Sequence, residues 1–175
     1  AVAFYFIRMF AITGFYHRYF SHKTFKTNRF WQACFALLGI TAAQKGPIWW
    51  AAHHRDHHLY SDQPEDVHSP VQRGFWDAHI LWILRHKSFS FNENRIKDLL
   101  KFPELYFFSR FHRVFVILFM IGLYYFGVML NHFFPGLNTS GSQILVWVGI
   151  ISTVAVYHGT FTINSLTHIF GRRRY

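Results

Sequence analysis

The sequence predicts an all-α integral membrane protein in which apolar helices cross a bilayer beneath a histidine-rich helical cap. Three observations predict it. The chain is 51% hydrophobic and 21% aromatic with 22 phenylalanines, high for a soluble domain of 175 residues. Residues 114 to 171 contain no Asp, Glu, Lys or Arg, although the net charge is +10 and basic residues crowd the segments on both sides. The 13 histidines and 18 Lys/Arg collect in particular stretches. A basic balance alone would suggest nucleic acid, but such a module has no use for so long an uncharged run, so no nucleic-acid partner is expected and lipid is the expected solvent.

Residues 1 to 16 read as the latter part of a spanning helix, interrupted by Arg8, which must snorkel, face the protein interior or pair with a group outside this sequence. The opening Ala1-Val-Ala-Phe-Tyr-Phe-Ile lies inside an apolar run without Met or a basic n-region, so it reads as a cut end rather than a signal peptide. Residues 30 to 43 are too few to cross a bilayer and suit an interfacial or re-entrant helix with an aromatic entry at Phe30-Trp31. Lys45-Gly46-Pro47 breaks that helix before Trp49-Trp50, which read first as interfacial belt residues and second as tunnel lining. Cys34 has no partner in the chain, so no disulfide framework is expected.

Residues 17 to 113 form the expected cap; its later part, punctuated by Pro64, Pro70 and Pro103, is polar and mixed in charge. Two spans follow, at about 114 to 134 and 143 to 163, each long enough at 1.5 Å per residue for roughly 30 Å of hydrocarbon. The connector between them lacks Lys and Arg, whereas the cap and Arg172-Arg173-Arg174 are basic, which puts the cap and both histidine clusters on the cytoplasmic side of a multi-pass protein.

The histidines carry the chemistry. His54, His57 and His58 stand at i, i+3 and i+4, so on a helix they fan over one face within about 100°. His17 and His22 lie five apart, about 140° on a continuous α-helix, too far for one ion unless the backbone bends; they more naturally serve two neighbouring ions or mark the helix end. Asn164 and His168, at i and i+4 near the cytoplasmic end of the last span, are polar groups at a depth where such groups face the interior. His79, His86, His112 and His132 read as surface or hydrogen-bonded residues, and His53 as one that supports the cluster from behind or faces solvent. No His-Glu-x-x-His, Glu-x-x-His, Gly-x-Ser-x-Gly or phosphate loop competes with this histidine chemistry.

Four motifs in order resemble the stearoyl-type membrane fatty acyl desaturases, particularly their bacterial and cyanobacterial branch: His17-Arg-Tyr-Phe-Ser-His22; Gln44-Lys-Gly-Pro-Ile-Trp-Trp-Ala-Ala-His53 leading into His54-Arg-Asp-His57-His58; Asp66-Val-His-Ser-Pro70 with Arg73-Gly-Phe-Trp; and Asn164-Ser-Leu-Thr-His168-Ile-Phe-Gly171. The resemblance implies a non-haem di-iron centre of two iron ions held by nine histidines. Six are matched, His17, His22, His54, His57, His58 and His168, with Asn164 holding an iron-bound water. It further implies a third box, His-Asn-x-His-His, beyond Tyr175 and a spanning helix before Ala1. Residues 1 to 175 then read as one desaturase domain cut at both ends, with three of four spanning helices present and no activity as a fragment. The implied reaction inserts a cis double bond at carbon 9 of a saturated acyl chain, using O2 and two electrons from a donor such as ferredoxin or a b-type cytochrome. Acyl-CoA or an acyl-lipid is the implied substrate, with Arg73, Arg85 and Lys87 as basic candidates for docking its headgroup or the electron donor. A histidine-box hydroxylase or alkane-oxidising enzyme, and a non-catalytic membrane metal-binding protein, are the alternative readings.

Overall fold

The computed structural model describes residues 1–170, and every regular element among them is helical. Helix α1 runs through Val2–Phe10 and continues without a break into a π-helical stretch, Ala11–Ser21. Helices α2 (Arg29–Ile40) and α3 (Pro47–Tyr60) follow, then short helices α4 (Pro70–Arg73) and α5 (Phe75–His79) and three single 3₁₀ turns. Helix α6 (Pro103–Arg110) leads into α7 (His112–Phe133), and α8 (Gly141–Ile169) closes the described chain. Local chemistry sets several of these starts. The Asn28 side chain accepts from the Trp31 amide at 3.0 Å to cap α2, and Pro47 stands at the first position of α3, where its missing N–H costs nothing.

The two expected spans of the second half are present as α7 and α8, both long and apolar enough to cross a membrane. They cross where Gly127 meets Gly141: a Cβ on Gly127 would lie 2.6 Å from the Ser140 carbonyl oxygen. Most of α7 is otherwise uncovered, with Ile117, Leu118, Ile121, Tyr125 and Met129 exposed, the face a helix shows to lipid. The run 30 to 43 is the short apolar helix α2 and does not meet the length of a span. Arg172-Arg173-Arg174, which entered the orientation argument, lie outside the described residues.

Arg8 faces the interior, one of the alternatives its position left open. It is 1% exposed and ties α1 to α8 at and just past the π-helical turn Leu145–Ile151, donating to the Val148 carbonyl at 2.6 Å, Thr153 Oγ1 at 2.5 Å and Ser152 Oγ. It also reaches the Thr41 carbonyl at 3.2 Å. Each donation goes to a neutral oxygen, so the guanidinium works here as a multiple hydrogen-bond donor between elements.

The core lies where the π-helical half of α1 meets α2, α3 and α6, around Tyr16, Phe20, Ile48, Ile96 and Leu105. The Tyr16 ring lies so close to Gly39 that a side chain there would overlap it. This packing holds α1 and α3, the two histidine-bearing helices, against each other, while α5 and the first half of α1 dock along α8.

Candidate metal centre

The first histidine box is assembled by helix geometry. In an α-helix residues five apart diverge, but in the π register the amide of residue i+5 bonds to the carbonyl of residue i, so such residues share a face. His22 N donates to the His17 carbonyl at 3.1 Å in that register, and His22 stands just past the last residue of the stretch. The bend that the spacing demanded is therefore supplied by winding.

Across from it, α3 presents His54 and His58. Nε2 of His22 lies 3.0 Å from Nε2 of His17 and 2.9 Å from Nε2 of His54, which in turn lies 2.9 Å from Nε2 of His58. The four ligand atoms all lie within 4.8 Å of one another. Hydrogen bonding cannot account for this arrangement. A neutral imidazole nitrogen is either one donor or one in-plane acceptor, so His22 Nε2 cannot serve two neighbours, and neither can His54 Nε2. A cation accepting all four lone pairs resolves the conflict: bonds of about 2.1 Å at right angles separate two donor atoms by roughly 3.0 Å. Burial, then the neighbouring rings of His17, His58 and His22, push His54 down to about 2, and burial with His22 and His57 lowers His58. These rings are neutral near pH 7, the protonation state a metal requires.

His57, one residue from this group, points elsewhere. Its Nδ1 lies 2.9 Å from Asp66 Oδ2, and His168 Nδ1 lies 3.0 Å from Asp62 Oδ1. The two ring centres are 5.1 Å apart, and each Nδ1 engaged by a carboxylate leaves Nε2 as the nitrogen available for a ligand. Asp66 is fully buried and its oxygens are occupied, accepting from the Asp62 and His68 amides at 3.1 and 3.2 Å as well as facing His57. Burial alone would raise Asp66, but the hydrogen bond from His57 and the fields of His68 and His57 outweigh it and hold the carboxyl at about 2. His57, Asp66 and His68 also form a group within metal-binding distance, yet Asp66 is better placed to orient His57 than to bind an ion.

A cavity of about 380 Å³ runs from His17 and His54 between α1, α3 and α8, past Met9, Ile12 and Phe161, and includes Asn164 in its wall. Gln44 bridges it, donating to Thr160 Oγ1 at 2.7 Å while accepting from Trp50 Nε1 at 3.3 Å.

The sequence profile of the family described as fatty acid desaturase matches residues 1–175. The chain belongs to the fatty acid desaturase family. A probable chloroplastic lipid desaturase of Arabidopsis thaliana is 38% identical over 96% of this chain and 44% of its own length. An sn-1 stearoyl-lipid 9-desaturase of Anabaena variabilis is 35% identical over 94% of this chain and 56% of its own, and an acyl-CoA 5-desaturase of Anemone leveillei 33% identical over 94% and 48%. The chain spans about half the length of these curated relatives.

Within this member of the family the sequence-derived candidates separate into groups. His17, His22, His54 and His58 converge; His57 pairs with His168; Asn164 faces the cavity one helical turn before His168. Two readings left open by the sequence are narrowed to one alternative each. Trp49 is buried with its Nε1 donating to the Ser88 carbonyl at 2.7 Å, and Trp50 stacks on His54 at 4.9 Å, so both line the cavity rather than a lipid belt. His53 is packed against Trp49 at 4.3 Å and is 8% exposed, so it does not face solvent. Of the lone histidines, His79 is buried and bonded to Ser165 Oγ and His158 at 3.0 Å each, and His112 donates from Nδ1 to the Ser109 carbonyl at 2.7 Å. Arg73 is exposed, Arg85 is ion-paired with Asp77, and the Lys87 side chain lies outside what is described. Histidine spacing gave no indication of Asp62, Asp66 or Arg55. The Arg55 guanidinium donates to the Phe20 and Ser21 carbonyls at the end of α1, at 2.6 and 3.0 Å, and forks onto Asp98 at 2.7 and 3.1 Å.

Proposed function

We propose that the chain is the ligand-bearing half of a membrane fatty acyl desaturase that introduces a cis double bond, at carbon 9, into a saturated acyl chain. The observation that carries this reading is the convergence of four Nε2 atoms at the wall of an apolar cavity. His17, His22, His54 and His58 would hold one iron; His57 and His168 would begin the shell of a second, with Asn164 beside it. The remaining ligands would come from parts of the full-length protein outside these residues, the chain spanning about half the length of its curated relatives. When bound, the iron pair supplies the oxidising power, drawn from O2 and two electrons, to remove hydrogen from unactivated methylenes.

The chain's own residues would do the rest. Asp66 and Asp62 keep the protons of His57 and His168 on Nδ1, which aims both Nε2 atoms at the metal. Trp50, stacked on His54, and the Gln44–Thr160 bridge wall the cavity beside the ligands, so an acyl chain there would be fixed in place and kept from water. α1, α7 and α8 would cross the membrane with the histidines on the cytoplasmic side, where a ferredoxin or b-type cytochrome could deliver electrons.

The test is product analysis of the full-length enzyme supplied with O2, reductant and a stearoyl substrate. The expected product is a cis alkene, lost in His57→Ala. A hydroxylated chain with no alkene would support the rival hydroxylase reading instead.

A further inference from the structure

A histidine outside both ion groups reaches the helix that serves the second. His79, the last residue of α5, is buried against α8, with its Nδ1 3.0 Å from Ser165 Oγ and its Nε2 3.0 Å from Nδ1 of His158. The Phe75 ring stacks on it at 5.3 Å. Ser165 Oγ also lies 3.0 Å from the Phe161 carbonyl, which can only accept. One proton assignment satisfies all three contacts: the hydroxyl donates to Phe161, Nδ1–H of His79 donates to the hydroxyl, and the bare Nε2 accepts from Nδ1–H of His158. That assignment places the ring proton of His79 on Nδ1.

The end of α8 depends on this contact. Past Phe161, Ser165 is the one buried residue among the described residues of that helix, while Ile163, Leu166 and Ile169 are exposed. Ser165 stands one residue after Asn164 and three before His168, so around the helix it is about 100° from the first and about 60° from the second. A turn of the helix by about 20°, at a side-chain radius of roughly 5 Å, moves such a group by about 2 Å. Metal–ligand distances hold to within about 0.2 Å. Asp62 orients the His168 ring, but a ring on two torsions can keep that bond while the helix turns beneath it. The contact at Ser165, made by a short and fully buried side chain, holds the helix itself.

We propose that His79 is a positioning residue for the second ion: through Ser165 it fixes the rotation of the last two turns of α8, and with it the approach of Asn164 and His168. The inference rests on the two-ion reading above and adds to it a residue of the cap outside the ligand set. His158 plays the lesser part, supplying the donor without which Nε2 of His79 would be buried unpaired.

The test follows iron release from the full-length protein to a chelator, with the phase that Asp66→Asn speeds marking the second ion. An asparagine amide nitrogen can stand where Nδ1 was and donate to Ser165, whereas a glutamine oxygen can stand where Nε2 was and accept from His158. His79→Gln is therefore expected to speed release of the second ion about tenfold, the lower end of what an outer partner is worth to a metal site. His79→Asn and His158→Ala are expected to leave that release unchanged, and none of the three should affect the four-histidine ion. The Asn and Gln variants each lose one hydrogen bond and the ring, so a purely structural role would loosen the ions alike in both. Should either not fold, Ser165→Ala, which removes the acceptor, is expected to speed the same phase alone. Equal release from the Asn and Gln variants, acceleration of both ions together, or unaltered release from Ser165→Ala would overturn the proposal. A full-length protein that binds no second ion would overturn the two-ion reading and the proposal with it.

Discussion

The four-histidine group and the His57–His168 pair lie side by side but are organised by different means. The first is set by the backbone: a π-helical turn aligns His17 with His22, and Arg55 clasps the carbonyls of Phe20 and Ser21 to fix the end of that turn against α3. The second is set by side chains, each imidazole buttressed at Nδ1 by a carboxylate. Preorganisation by winding makes a group whose members depend on one another, whereas a carboxylate buttress acts on one ring at a time.

Removing a shared ring should have the largest effect. His54 Nε2 contacts both His22 and His58, so His54→Ala in the full-length protein is expected to abolish one bound metal, read as iron per chain by elemental analysis. Retention of both would dissolve the distinction between the two regions. Next comes Arg55→Ala, which strips two helix-end carbonyls and leaves Asp98, among the described residues, with Lys23 as its ion-pair partner. A loss of about 3 kcal/mol is expected in chemical unfolding, and Arg55→Lys should not restore it because the fork is lost.

Asp66→Asn tests the other region. It should weaken metal retention about ten- to a hundredfold in chelator competition while leaving the four-histidine ion in place. An equal loss at both sites would mean that the regions are not separately organised.

The smallest expected effect is on stability against pH. In the unfolded chain an imidazole takes up a proton near 6.5, whereas folded His54 stays neutral down to about 2. Its folded value is lowered, so on acidification the unfolded state binds the extra proton. The metal-free protein should therefore lose about 1 kcal/mol from this ring as pH falls to about 5.5, and none while pH stays well above 6.5. Thermal unfolding at the two pH values measures it.

These contrasts also mark what the sequence can carry. Apolar length gave α7 and α8, because a span is a property of composition. Spacing put His54, His57 and His58 on one face; the structure keeps His54 with His58, at i and i+4, and turns His57 to Asp66 instead. It left His17 and His22 open, because spacing alone does not record whether a helix winds in the π register. The pairing of Asp66 and Asp62 with histidines was illegible for another reason, although Asp66 opens one of the quoted motifs: they meet their histidines through a folded loop and, for His168, across 106 residues. Trp49 and Trp50 were read first from the habit of aromatic residues near membranes, and the folded chain favours the second reading, tunnel lining, by burying Trp49 and stacking Trp50 on His54.

The most direct test of two separately organised ions is an iron-edge anomalous difference map from crystals of the full-length protein. The account predicts two peaks, one bonded to Nε2 of His17, His22, His54 and His58, the other to Nε2 of His57 and His168. A single peak, or one bonded to Asp66, would contradict it.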